Sequence, residues 1–242
     1  MIAKRLMNGA LALRGFCHST AARPRLSVTR LPRELLGTEY GGWWVCVQLL
    51  TNDSIVYSFG VGTDISFDLT LIDRFGVTVH GFDPTPRSMQ WIETAAPPPP
   101  FRFHAIGLAA FDGVGFFAPP ERLDHVSYTL VNPAKISGTA RCDVRRLETI
   151  ARDLGHNRID LLKMDIEGEE YAVIEDICRG SLNISQLLVE FHGEQLWQRR
   201  RRIAVAARQL RRLNLVPFSI SDTGREYSFV KADLQQRASH AE

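Results

Sequence analysis

Short runs rich in β-branched and aromatic residues alternate with segments of helical period along this chain, and that alternation limits the fold more than any other feature. Strand-like runs fall at residues 55–59, 77–82 ("VTVHGF"), 101–106 ("FRFHAI"), 159–164 ("IDLLKM") and 186–191 ("QLLVEF"). Between them, Ile65, Leu69 and Ile72 share one helical face, as do Leu147, Ile150 and Leu154, then Tyr171, Ile174 and Ile177. Leu196, Ile203, Ala207 and Leu210 do the same in a longer segment. Pro86 suits the first turn of a helix, and Gly76 and Gly155 suit helix ends. Strand–helix alternation predicts an α/β fold with a mostly parallel, doubly wound sheet and right-handed crossovers. The last two runs, "LVPFSIS" and "EYSFVKA", flank Asp222-Thr223-Gly224. That turn is too short for a parallel crossover, so the C-terminal pair is an antiparallel hairpin.

The 242 residues suffice for one α/β domain with a full core. A net charge of +2 names no partner. Cys17, Cys46, Cys142 and Cys178 form no CxxC, which argues for reduced thiols rather than a disulfide framework or a zinc site. Residues 1–33 carry Lys4, Arg5, Arg14, Arg23, Arg25, Arg30 and Arg33 with no acid before Glu34. The expectation is a disordered basic tail on a cytoplasmic protein; the alternative is an organelle-targeting segment. The folded domain is then 34–242. No apolar stretch approaches the ~20 residues of a membrane span. Pro97 to Pro100 reads as a stiff surface spacer, and "AAFDGVGFF" as a hairpin centred on Asp112-Gly113. Residues 119–138 read as a long binding loop or lid. Arg199 to Arg202 form the solvated face of a helix; without interleaved aromatics they do not indicate nucleic acid.

The first strand runs into "SFGVGTDI". Gly60 and Gly62 permit a tight turn and close approach of backbone to a ligand, with a helix starting near Thr63 or Asp64. A dinucleotide fingerprint needs a third glycine where Ile65 stands, and the Asp64 carboxylate repels phosphate. The junction therefore suits a nucleoside without phosphates. The next strand ends at Asp83, placed to accept both ribose hydroxyls or, in the plainer reading, to cap the following helix.

A second cluster sits at "LLKMDIEGEE". Glu169 and Glu170 are first-turn helix residues favoured by the helix dipole. Asp165 and Glu167 lie at the ligand edge of the sheet. Glu190 and His192 of "LLVEFHG" share a face by strand alternation and come near Asp165 if the two strands are neighbours. This set is read first as acid/base or substrate-binding chemistry, second as a solvated edge, and third as a divalent-metal site; no metal ligand is assigned.

Together, "VYSFGVGTDISFDLTLIDRFGVTVHGFDPTPRS", "IDLLKMDIEGEEYAVIEDI" and "LLVEFHG" resemble the FkbM family of S-adenosylmethionine-dependent methyltransferases. The Lys-Met-Asp-Ile-Glu-Gly segment is the most specific part of the likeness. The resemblance implies a Rossmann-like class I methyltransferase fold, a seven-stranded sheet whose last strand is antiparallel. It implies Ser58, Gly60 and Gly62 as the first cofactor motif and Asp83 as the ribose acid, with Asp64 facing the cofactor amine. It implies Asp165 and Glu167 as active-site residues, with Asp165 or His192 as base or acceptor orienter. The expected reaction is O-methylation of a small-molecule, sugar or lipid-type acceptor. The competing expectations are a methyltransferase-like binding module without turnover and a nicotinamide-dependent oxidoreductase.

Overall fold

The computed structural model of the chain describes residues 26–39, 41–119, 128–130, 139–193 and 195–235. A ribbon of β1 (Glu34–Leu36) and β2 (Trp43–Val45) precedes β3 (Val56–Phe59), α1 (Ser66–Phe75), β4 (Val79–Phe82), α2 (Pro86–Ala95) and β5 (Phe101–His104). A small second sheet follows, with β6 (Gly107–Leu108), β7 (Gly113–Ala118), β8 (Thr129–Leu130) and β9 (Ala140–Arg145). The chain then returns through α3 (Leu147–Asp153), β10 (Arg158–Met164), α4 (Glu170–Ile177), β11 (Asn183–Glu190), α5 (Leu196–Arg212), β12 (Leu215–Ile220) and β13 (Glu226–Lys231).

The main sheet has seven strands in the order β5-β4-β3-β10-β11-β13-β12. From β5 to β11 every pairing is parallel, and β13 is antiparallel to both its neighbours. The chain starts at the centre with β3, runs outward to β5, and restarts beside β3 with β10. The topological switch therefore lies between β3 and β10, where open α/β sheets form ligand crevices beyond the strand ends.

The pleat divides the strands between two cores. Tyr57, Phe59, Leu162, Met164, Leu187 and Val189 pack with α3, α4 and α5. Val56, Leu161 and Leu188 pack on the opposite face with Phe67 and Leu71 of α1 and Ile92 of α2. Burial on both faces explains why these strands read as continuous apolar runs. The β1–β2 ribbon is anchored by Gln186 in the middle of β11. Its side-chain amide accepts from Cys46 N–H (3.0 Å) and donates to Cys46 C=O (3.1 Å), so the buried backbone pair is satisfied.

Several local expectations change. Helix α1 begins at Ser66, two to three residues later than predicted, because the left-handed turns at Gly60 and Gly62 consume the intervening chain. Its buried face is Phe67, Asp68 and Leu71, while Leu69 is 37% exposed. Asp112-Gly113 does not make a hairpin, since β6 and β7 lie on opposite sides of β9. Asp112 instead accepts from Arg146 N–H and Thr149 Oγ1–H, each at 2.9 Å, and fixes the entry to α3. The proline run closes a turn rather than a spacer, with Phe101 N–H donating to Pro98 C=O (2.9 Å). Most of 119–138 lies outside the described residues. Part of the basic segment lies against the sheet: Thr29 N–H donates to Pro217 C=O and Arg33 to Phe218 C=O, both 2.9 Å, which brings residues 29–33 beside β12. Residues 1–25, which carry the tail or targeting expectation, and Cys17 lie outside the described residues. Arg199 is buried, and the Arg202 guanidinium stands 3.8 Å from the Tyr171 ring centroid, so the arginine run is not wholly a solvated face. Among the described residues no helix is long and apolar enough to cross a membrane.

An imidazole cluster beside β3, β4 and β5 surrounds the buried His80 with the half-buried His104 and His156. His80 Nδ1 lies 3.0 Å from His104 Nε2, and Tyr57 Oη lies 2.7 Å from His156 Nδ1. Burial, reinforced by His104, His156 and Arg102, pushes His80 down to about 4. A group depressed in the fold contributes stability above its unfolded value and loses it as pH falls through the folded value. The thermal midpoint should therefore fall between pH 7 and pH 4, with up to roughly 3 kcal/mol of the loss assigned to His80. Melting curves of His80→Phe should show a shallower acid slope; an unchanged slope would place the acid sensitivity elsewhere.

Candidate active site

A cavity of about 1270 Å³ lies across the carboxyl ends of β3, β4, β10 and β11. Gly60, Gly62, Asp64 and Asp83 line one end, and Asp165, Glu167, Glu190 and His192 line the other.

At the first end the chain leaves β3 through left-handed turns at Gly60 (φ 78°) and Gly62 (φ 56°). A Cβ on Gly60 would lie 1.8 Å from the backbone oxygen of Asp165, so only glycine permits these strand ends to meet. Gly60 N–H donates to Phe82 C=O (3.0 Å), and the Lys163 ammonium donates to Gly60 C=O (2.8 Å). Asp83 accepts from Gly62 N–H (2.9 Å) through one oxygen and from Thr85 N–H (2.9 Å) and Thr85 Oγ1–H (2.6 Å) through the other. Thr85, not Asp83, is the N-cap of α2. Asp83 thus holds the glycine loop against the start of α2. With three of about four acceptor positions filled, it keeps room for one further donor rather than the two expected of a bidentate ribose grip.

Asp64 accepts from Ser66 N–H (2.8 Å) and Thr38 Oγ1–H (3.2 Å). Burial favours its neutral form, but these bonds and the Lys163 charge outweigh it and hold the carboxyl below its usual range. Ser58 departs from expectation. It pairs in register with Lys163, faces α1 beside Asp68, is fully buried, and does not line the cavity.

At the other end, β10 and β11 are adjacent and parallel, so Asp165, Glu190 and His192 emerge together. His192 Nδ1 lies 2.8 Å from a Glu170 carboxylate oxygen, which also accepts from Gly168 N–H (2.9 Å). His192 Nε2 faces Glu167 (3.4 Å), Glu190 (3.6 Å) and Asp165 (3.8 Å). Burial opposes charge on His192, but the Glu170 hydrogen bond and the surrounding carboxylates outweigh it and raise the imidazole to about 9. Burial, then Asp165, lifts Glu190 to about 7, and burial likewise raises Asp165 against the pull of Lys163 and His192. A protonated His192 donates to an acceptor oxygen and does not serve as a base at neutral pH.

Two residues escape the sequence reading. Glu170, assigned only a helix-start role, is fully buried and orients His192. Lys163 links the two ends of the cavity; a lysine inside an apolar strand run was the available signal.

Residues 53–223 match the Methyltransferase FkbM domain, and the chain belongs to that family. It is 26% identical over 164 residues to "Probable methyltransferase-like protein 24" of Rattus norvegicus, and 26% identical over 161 residues to the Homo sapiens protein of the same name. Each match covers 62% of this chain and 38% of the relative. No solved structure matches the chain significantly.

The Gly60 contact is testable directly. Gly60→Ala should cost more than about 2 kcal/mol in chemical denaturation, because a positive φ and a backbone clash add. Gly155→Ala, also at positive φ but with nothing within 4 Å of the added Cβ, should cost less. Equal losses would show that the clash relaxes freely.

Proposed function

We propose that this chain transfers a methyl group from S-adenosylmethionine to a hydroxyl oxygen of a small-molecule, sugar or lipid-type acceptor. One observation carries this reading: the phosphate-averse glycine loop and the acid–imidazole cluster face one another across a single cavity at the sheet switch point. Gly60, Gly62 and Asp83 would hold the methionine and ribose parts of the cofactor, since backbone there is open to approach without side-chain obstruction. Asp83 offers its remaining acceptor position to a ribose hydroxyl, and Asp64 faces the cofactor amine. The acceptor hydroxyl lies against Asp165, Glu167 and His192.

The chemistry asks little covalent participation from the protein. The sulfonium activates the methyl group, and the site contributes alignment of oxygen, carbon and sulfur and exclusion of water. His192 donates to the acceptor oxygen, and the carboxylates favour loss of its proton.

Calorimetric titration with S-adenosylmethionine should give micromolar binding, with none for NADH. Asp83→Ala should weaken the cofactor roughly 10–100-fold, the worth of a charge-assisted hydrogen bond. Binding of NADH alone would replace this reading with an oxidoreductase. Cofactor binding without methyl transfer to any of a panel of hydroxyl acceptors would favour a binding module. Asp165→Asn should lower the transfer rate at least about tenfold while leaving cofactor affinity nearly unchanged; an undiminished rate removes Asp165 from the chemistry.

A further inference from the structure

We propose that Asp165, Glu190 and His192 bind one divalent cation of the first-row class, typified by Mn²⁺, which holds the acceptor oxygen during methyl transfer. The inference rests on the methyltransferase reading only for the cation's role, and not for its binding.

One ligand atom from each of these three residues lies within 4.8 Å of the other two. Carboxylate oxygens stand 3.4–3.8 Å from His192 Nε2, and none makes a hydrogen bond to it. Of the proposed ligands, Glu190 stands 3.6 Å and Asp165 3.8 Å from Nε2; ligands sharing a cation at about 2.0–2.2 Å lie roughly 3.0–3.5 Å apart, so the set is close to that spacing and tightens by a few tenths of an ångström on binding.

Two further observations fit a cation at this place. Asp165 Oδ1 is buried and has no hydrogen-bond partner among the described residues, although it faces this cluster. Independently, Glu170 comes from a different element, is fully buried, and takes His192 Nδ1 at 2.8 Å. This fixes the ring with Nε2 directed at the carboxylates, the outer-shell arrangement that orients a metal-binding imidazole.

The donor set is two carboxylates and one imidazole. The imidazole disfavours calcium and magnesium, and the absence of thiolate disfavours a closed zinc site. His192 and Asp165 keep 18% and 30% of their side-chain surface, so the site stays open to the cavity for water and an acceptor oxygen. The cation takes the place of the Nε2 proton, so in the loaded site the cation and not the imidazole N–H meets the acceptor oxygen; a hydroxyl bound there loses its proton to Glu167, whose carboxylate stands beside the same nitrogen. The resulting alkoxide pair forms the O–C bond, and the C–S pair remains on sulfur as the neutral thioether. The sequence alone ranks a cation last for this cluster; the burial of Glu170 and the orientation of His192 reverse that order.

The test uses the full chain freed of metal by chelator and titrated with Mn²⁺, with electron paramagnetic resonance counting bound ions and nuclear magnetic resonance following the histidine side chains. One ion per chain should bind with a Kd below about 0.1 mM and broaden the His192 imidazole resonances. Glu190→Gln should weaken it at least about tenfold, and Glu170→Gln about 10–100-fold, whereas exposed Glu175→Gln should leave it unchanged. Cofactor affinity reports whether each variant is folded. Wild-type protein that binds S-adenosylmethionine but not Mn²⁺ would overturn the cation and leave the methyltransferase standing. Mn²⁺ binding without cofactor binding would do the reverse. Stoichiometric Mn²⁺ that leaves His192 unbroadened would place the ion elsewhere and also overturn the proposal.

Discussion

The structure depends on β10 lying in parallel register between β3 and β11. Met164 pairs with Phe59 on one side and Val189 on the other, so three strands end on the same line. Parallel strands place all their carboxyl ends at one edge, and the residues just beyond those ends meet without any long-range loop having to bring them there. Gly60 and Asp165 are those residues, and Glu190 is the last residue of β11 beside them. The contact between Gly60 and the Asp165 backbone oxygen leaves no space for a side chain. The cofactor loop and the acid cluster are therefore held in fixed relation by backbone rather than by a flexible side-chain bridge.

Lys163 gives that junction its electrostatic counterpart. It is buried within β10, donates to the Phe59 and Gly60 carbonyls, and lies under Trp43. Burying an ammonium group is costly unless hydrogen bonds and opposite charges offset it. The carbonyls supply the first, and Asp64, Asp68 and Asp165 supply the second. The effect is felt on both sides of the cavity, since the Lys163 charge opposes the burial-driven rise of Asp68 and Asp165 and helps hold Asp64 ionised. One strand residue thus tunes carboxylates that belong to the cofactor end and to the acceptor end.

The sequence conveyed the architecture well because strand runs buried on both faces leave an unbroken apolar signal, and because Asp222-Thr223-Gly224 admits only a hairpin. It conveyed the shared edge of Asp165, Glu190 and His192, since strand alternation and adjacency suffice for that. It misplaced Ser58 because the pleat, rather than chain position, decides which side of a strand end reaches the ligand edge. It misread α1 because two left-handed glycines lengthen the loop by residues that periodicity counts as helix. Asp112-Gly113 carried a strong turn signal, but whether the flanking strands pair with each other depends on β9, nearly thirty residues later.

The acidic segment after β10 shows most clearly how backbone conformation assigns chemistry to like residues. Asp165, Glu167, Glu169 and Glu170 look equivalent as a charge run, and helix-dipole stabilisation accounts for any of them. The chain separates them. Asp165 ends the strand line. Glu167 adopts φ 53°, a left-handed conformation that costs a side-chain-bearing residue roughly 1–2 kcal/mol. That conformation turns its carboxylate toward His192 Nε2, and Gly168 at φ 115° then redirects the chain into α4. Glu169 stands at the N-cap, and Glu170 is carried beneath the His192 ring. The strained residue and the glycine after it are what convert a solvated acidic turn into a site where one carboxylate orients the imidazole and three others confront its free nitrogen.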